Sequence, residues 1–259
     1  MPRLAGLIDR QASRAWPNST VPGGARGRNC TNSLPGCRNR LRPFVLRLKE
    51  QFGMKIYWIK AQAPRRVLAL AKHLGIEAEF EEINLMGGGL KVPEFAALNP
   101  NKKVPVLVDG EHVLWESSAI MAYLCAKAGS DMWPTQHAAE QIEVLRWLSW
   151  NDCHWSPAVA PFYFEHVVKS TFNIGPPDQE LLKSSVPELV KFASVLDAHL
   201  AGKDHAACGR LTIADFQLAS MATYWRESAM PFEPFPNIVR WLDALMRIPA
   251  WAQPWPKAA

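Results

Sequence analysis

The residues best suited to chemistry gather between Asn99 and Leu124, in the run NPNKKVPVLVDGEHVLWESSAIMAYL. Lys102 and Lys103 lead into a Val104-Pro105 step, and Glu116-Ser117 stand where the pattern turns from alternating to helical. An X-Pro bond is where a cis peptide costs only about 0.5 to 1 kcal/mol. A helix start offers unbonded backbone N–H groups to an anion, and Ser117 or Ser118 is its expected cap. Further on, Thr212 and Asp215 have capping-box spacing, so the threonine caps a helix and the aspartate reaches back to the cap backbone. That pair is read as structural. Trp147, Trp150, His154, Trp155, Phe162 and Tyr163 concentrate in one stretch. Most aromatics at helical spacing are core. Gly87-Gly88-Gly89 is a loop rather than a phosphate cradle, because no GK[ST] follows. The five cysteines, Cys30, Cys37, Cys125, Cys153 and Cys208, form no CxxC and no metal-ligand spacing, so no metal is expected.

The elements that must position these residues read in two styles. Lys55 to Ile59 predicts a strand, and Pro64 sits in the first turn of a helix that runs to a stop at Gly75. Ala78 to Leu85 predicts a second strand, followed by a short helix around Pro93 to Leu98. Val104 to Val108 and His112 to Trp115 form a hairpin about Asp109-Gly110, and a helix from Ser117 to Ala128 closes the unit. Beyond a linker at 130–134 the strand signals cease. Gln136 to Trp155, Gln179 to Leu200, Thr212 to Trp225 and Ile238 to Met246 carry apolar residues at spacings of three and four. Pro157, Pro161, Pro187 and Pro236 are expected to interrupt them. The fold class is α/β plus all-α: an α/β domain at 54–129 followed by a helix bundle at 135–259.

Charge divides at Met54. Residues 1–53 hold ten Lys/Arg against two Asp/Glu, a net of +8, and the remainder holds 19 against 22, a net of −3. The whole-chain net of +5 therefore gives no argument for nucleic acid as a partner of the folded part. Residues 1–53 are poor in apolar side chains and are read as a basic, mostly disordered extension, whose Arg-rich, acid-poor composition fits a transit peptide or, the favoured reading, sequence upstream of a start at Met54. No run approaches the roughly 18 apolar residues of a membrane helix, and no apolar stretch suits a secretory signal. A cytoplasmic location is the expectation.

From Met54 almost to its end, the sequence resembles glutathione S-transferases, particularly theta-like and bacterial members. The resemblance rests on Val104-Pro105, Glu116-Ser117 and the Thr212-x-x-Asp215 box together. It implies a thioredoxin-like domain, glutathione as co-substrate, a small hydrophobic electrophile as second substrate in a pocket walled by Trp150, His154 and Tyr163, and a homodimer. It implies a cis Val104-Pro105 step whose valine backbone pairs with the cysteinyl part of glutathione like an added strand. The carboxylate of the γ-glutamyl group then meets the helix start at Ser117, Glu116 faces its ammonium, and Lys103, with Lys102 beside it, meets the glycyl carboxylate.

One position departs from the family. Its members place Ser, Tyr or Cys between the first strand and first helix to bond the glutathione sulfur, whereas this loop is Lys60-Ala61-Gln62-Ala63-Pro64, with Ala61 at the usual serine. Lowering a thiol pKa by two units from about 8.5 needs roughly 2.7 kcal/mol. Charge-assisted hydrogen bonds supply about 1.5 to 3 kcal/mol each, so Gln62, the Ala63 backbone at the helix start, and Arg65 are the expected groups near the sulfur. The competing expectation is a non-catalytic binding module that keeps the fold and the glutathione motifs without turnover.

Overall fold

The computed structural model describes residues 53–256. The readings placed on residues 1–52, extension, cysteines and start site alike, lie outside them. The chain opens with β1 (Met54–Trp58), α1 (Gln62–His73) and β2 (Glu79–Glu82). After a single 3-10 turn come α2 (Pro93–Leu98), β3 (Val106–Asp109), β4 (His112–Trp115) and α3 (Ser117–Ala128). The strands form a mixed sheet in the order β2-β1-β3-β4, with β1 parallel to β2 and antiparallel to β3. The β3–β4 pairing puts Asp109 opposite His112, so the two hairpin residues are Gly110 and Glu111, one position later than the sequence pattern suggested. Gly110 takes φ of +58°, which a residue without a Cβ adopts at least cost.

Alternation along β1 sorts the core. Met54, Ile56 and Trp58 face the apolar sides of α1 and α3, while Tyr57, Val106 and Val108 face Phe95 and Leu98 of α2. With helices on both faces the sheet is thioredoxin-like, and its central strands are apolar nearly throughout.

The second half is helical: α4 (Ala138–Trp150), α5 (Ser156–Tyr163), α6 (Lys169–Phe172), α7 (Gln179–Leu200), α8 (Ile213–Ala222), α9 (Pro236–Leu245) and α10 (Pro249–Ala252). The expected breaks at Pro157 and Pro161 are a correction. The chain stays helical from Ala138 to Phe172, because two π-turns, Asn151–Trp155 and Phe164–Val168, join α4, α5 and α6. In the wider turn the Ser156 N–H donates to the Asn151 carbonyl, five residues back, and this opens the ladder where the Pro157 ring must fit. Pro187 is also inside its helix, on an exposed flank where water can meet the carbonyl it strands. Pro236 begins α9, where the missing N–H costs nothing.

All ten residues of α8 are buried. The capping box at its start is as expected: the Asp215 carboxylate accepts from the Thr212 N–H at 2.9 Å and the Thr212 hydroxyl at 3.1 Å. It also accepts from the Ala206 N–H at 2.8 Å and the Trp241 indole at 3.0 Å, which ties three segments to one buried acid.

Candidate active site

Strand register gathers the site. Tyr57 pairs with Val106, which in turn pairs with Trp115. The residues just beyond these three, Ile59 to Gln62 after β1, Val104-Pro105 before β3 and Glu116-Ser117 after β4, therefore emerge at one end of the sheet.

The Val104-Pro105 bond is cis, and the Val104 N–H and C=O enter no hydrogen bond among the described residues. A valine backbone with both groups free can receive an extended peptide as an added strand. Ahead of it, buried Asn99 shapes the loop. Its Oδ1 accepts from the Asn101 N–H at 2.9 Å and its Nδ2 donates to the Lys103 carbonyl at 2.8 Å. Lys102 takes φ of +54° there, and Lys103 is exposed at the rim. Asn99 is a residue that motif reading missed; its signal was the Asn-Pro-Asn turn run.

Glu116 corrects the expected cap. The N-cap of α3 is Glu116 itself, at φ of +71° and ψ of 115°, with no side-chain cap bond, and Ser117 is the first helical residue. Strand β4 ends at Trp115 and the helix must start at once, so the one residue between absorbs the turn. Such a backbone costs about 1 to 3 kcal/mol, a strain that tends to persist at functional sites. It leaves the first-turn N–H groups without a side-chain cap and ready for an anion, beside the buried Ser117 and the exposed Glu116 carboxylate.

Arg66, from α1, is buried behind this helix start. Burial pushes its guanidinium down to about 10, while the charges of Asp152 and Glu116 pull the other way. Its Nε has no hydrogen-bond partner among the described residues. Asp152 lies in the first π-turn, held by Asn151 and Gln217 at 2.9 Å each. A buried cation thus stands within electrostatic reach of Glu116, from a residue that the motifs did not single out.

At the end where the resemblance puts the sulfur, α1 has Ala61 as its N-cap, with no side-chain cap bond. The Arg65 N–H already bonds the Ala61 carbonyl at 3.0 Å and Pro64 has no N–H, so Gln62 and Ala63 carry the free donors of the first turn. The Ser220 hydroxyl from α8 lies 2.7 Å from the Gln62 carbonyl and 3.0 Å from its Oε1. That contact holds the carboxamide by its oxygen and leaves its NH2 group available. Arg65 is a correction. One helical turn carries it away from the loop, where Nη2 donates to the Trp251 carbonyl at 2.7 Å and the guanidinium lies 4.3 Å from the Trp251 ring. Nε reaches the Tyr224 hydroxyl at 3.3 Å. Arg65 fastens α1 to α10, and its charge is felt by Tyr163 on the helical side.

A cleft of about 440 Å³ opens beside Ala61, walled by Leu85 and Met86 after β2 and by Tyr163, Val167, Phe172 and Ile174 from the helical half. Of the three expected wall residues, Tyr163 lines it, and burial pushes its hydroxyl above the usual phenol range. Trp150 and His154 do not line it, which is a further correction. Their side of the helical run faces α7, where the His154 ring stacks on Phe192 at 5.0 Å and Trp150 meets the same ring edge-on at 6.0 Å. The wall residues from the second π-turn and α6 went unmarked because the expected proline breaks concealed that these residues continue the helix. Among the described residues no group of His, Cys, Asp and Glu could hold a metal.

Two family models match this chain in order: "Glutathione S-transferase, N-terminal domain" over residues 54–126 and "Glutathione S-transferase, C-terminal domain" over 152–249. "Glutathione S-transferase 3" of Zea mays is 32% identical over 194 residues, covering 72% of this chain and 85% of the relative. "Glutathione S-transferase D7" of Drosophila melanogaster is 32% identical over 197 residues, covering 74% and 84%. The solved theta class glutathione S-transferase from Xanthomonas axonopodis pv. citri, with glutathione bound, aligns with a TM-score of 0.69 and 28% identity over 77% of this chain and 95% of that one. With both domain models in place and relatives this similar over most of its length, the chain belongs to the glutathione S-transferase family of enzymes.

Proposed function

We propose that the site binds glutathione, lowers the pKa of its thiol and transfers the sulfur to a hydrophobic electrophile. The observation that carries this reading is the convergence of three segments at one sheet end: a free Val104 backbone before a cis proline, the strained Glu116 at a helix start, and the open start of α1. On this reading Val104 pairs with the cysteinyl backbone, Ser117 and the α3 N–H groups take the γ-glutamyl carboxylate, and Glu116 takes the ammonium. Lys103 meets the glycyl carboxylate. The Gln62 and Ala63 N–H groups and the Gln62 carboxamide stand in for the missing hydroxyl, each worth about 1.5 to 3 kcal/mol toward a thiolate. The thiolate attacks carbon, the sulfur–carbon bond forms as the carbon–halide bond breaks, and the halide leaves with the electron pair. The thiol proton has already passed to solvent. A homodimer in the cytoplasm is the expected state.

Calorimetry with millimolar glutathione tests binding, and ultraviolet thiolate absorbance of the complex tests activation. The expected result is saturable heat and a bound-thiol pKa below that of free glutathione. Absence of heat, with no competition, overturns the reading. Ala61 is the one observation that favours the binding-module alternative; binding with an undisplaced thiol pKa and no turnover of an aryl halide would decide for it.

A further inference from the structure

Between β1 and α1 the Ala61 N–H donates to the Ile59 carbonyl at 2.8 Å, a three-residue turn with Lys60 at its apex. The turn leaves Lys60 exposed at the sheet end, and the residue forms part of the cleft wall beside Ala61. Among the described residues lining that cleft Lys60 is the one charged group, and it is in no ion pair or hydrogen bond with any of them. The remaining wall is nearly all apolar. The Thr171 hydroxyl is spent on the Val167 carbonyl at 2.7 Å, and the Tyr163 phenol is the other polar group. An acid does stand nearby: Glu82 lines an adjoining hollow of about 400 Å³ that shares Lys60, Leu85 and Phe172 but does not reach Ala61 or Tyr163.

A neutral hydrophobe would fill such a cleft and leave the ammonium with water. An apolar molecule bearing an anion would fill it and pair the charge against a low-dielectric wall, where ion pairs are stronger than on open surface. We propose that the second substrate of this site is an apolar electrophile that carries an anionic group, a carboxylate or sulfonate, held by Lys60 at the end of the cleft next to Ala61. The proposal rests on the glutathione-transfer reading and names the acceptor class within it. Lys60 then acts on the acceptor, binding its charge and pointing its apolar body toward Leu85, Val167 and Phe172.

The test separates charge recognition from turnover. Two naphthalene fluorophores of similar size, anionic 8-anilinonaphthalene-1-sulfonate and neutral N-phenyl-1-naphthylamine, are titrated into the full chain and into Lys60→Met and Lys60→Gln. Both variants should weaken the anionic probe about tenfold and leave the neutral one unchanged, since a charged hydrogen-bonded pair has been lost and little apolar area. The conjugation arm compares 4-chloro-3-nitrobenzoate with its benzamide. Lys60→Met should raise KM for the benzoate alone, because intrinsic reactivity cancels between the two proteins. Equal loss for both probes, or no loss for either, overturns the proposal. A shift in the bound-thiol titration with an unchanged anionic probe also overturns it and assigns Lys60 to the sulfur. The probe arm needs no glutathione, so it stays readable even if the chain forms no thiolate.

Discussion

On the proposed reading, two backbone N–H groups and the Gln62 carboxamide serve at Ala61 where the family resemblance implies a side-chain hydroxyl or thiol. Returning a donor should show directly. Ala61→Ser is expected to lower the bound-thiol pKa by about one unit and raise kcat/KM with an aryl halide about tenfold, the effect of one charge-assisted hydrogen bond. The low-pH limb of the rate profile should move to lower pH by the same amount, and an unmoved limb would show that the new hydroxyl does not reach the sulfur. At this scale the sequence was a good guide to contiguous motifs: the Val104-Pro105 bond is cis, and Glu116-Ser117 stand where a strand ends against a helix. It was a poor guide to Arg65 and Arg66. Their neighbours, Trp251 and Asp152, are distant in sequence, and a 100° step along α1 sends one guanidinium to α10 and the other within electrostatic reach of Glu116.

Elements were legible to within a residue or two wherever periodicity was strong, as in β1, α3 and α7. The π-turns were not, because proline reads as a stop when its carbonyl clash is judged against a regular ladder. Two predictions concern elements. Asp215→Ala should cost about 3 kcal/mol, lowering Tm by roughly 10 °C, since it strands the buried Ala206, Thr212 and Trp241 donors. Glutathione affinity should hold; equal melting of variant and parent would contradict the structural role. On α3, burial pushes the Cys125 thiol from 9.0 up to about 12. The folded chain keeps this proton after the unfolded chain has lost it. The stabilisation is therefore complete below pH 9 and disappears as pH climbs toward about 12. Over that window the parent should lose stability faster than Cys125→Ala by about 1.4 kcal/mol per pH unit, read from denaturant midpoints. Parallel curves would refute the burial argument.

For the whole molecule, the order of an α/β unit and a helical unit followed from the switch in period after residue 129, and the family models match the same order. No described helix is long and apolar enough to cross a membrane. The residues from Met54 onward carry a net of −3. A protein starting there should show no salt-dependent retention on DNA, measured at low and high ionic strength; binding that weakens steeply with salt would mean a basic face that net charge conceals.

The bond from Arg65 to the Trp251 carbonyl joins groups 186 positions apart. During synthesis the first helix leaves the ribosome long before Trp251 exists, so its guanidinium must wait in water until α10 has been made. A nascent chain stalled short of that point already contains Val104-Pro105 and Glu116-Ser117 and still lacks the contact that fastens the helix carrying Gln62. Seating of the first helix is thus coupled to synthesis of α10, far downstream in the chain.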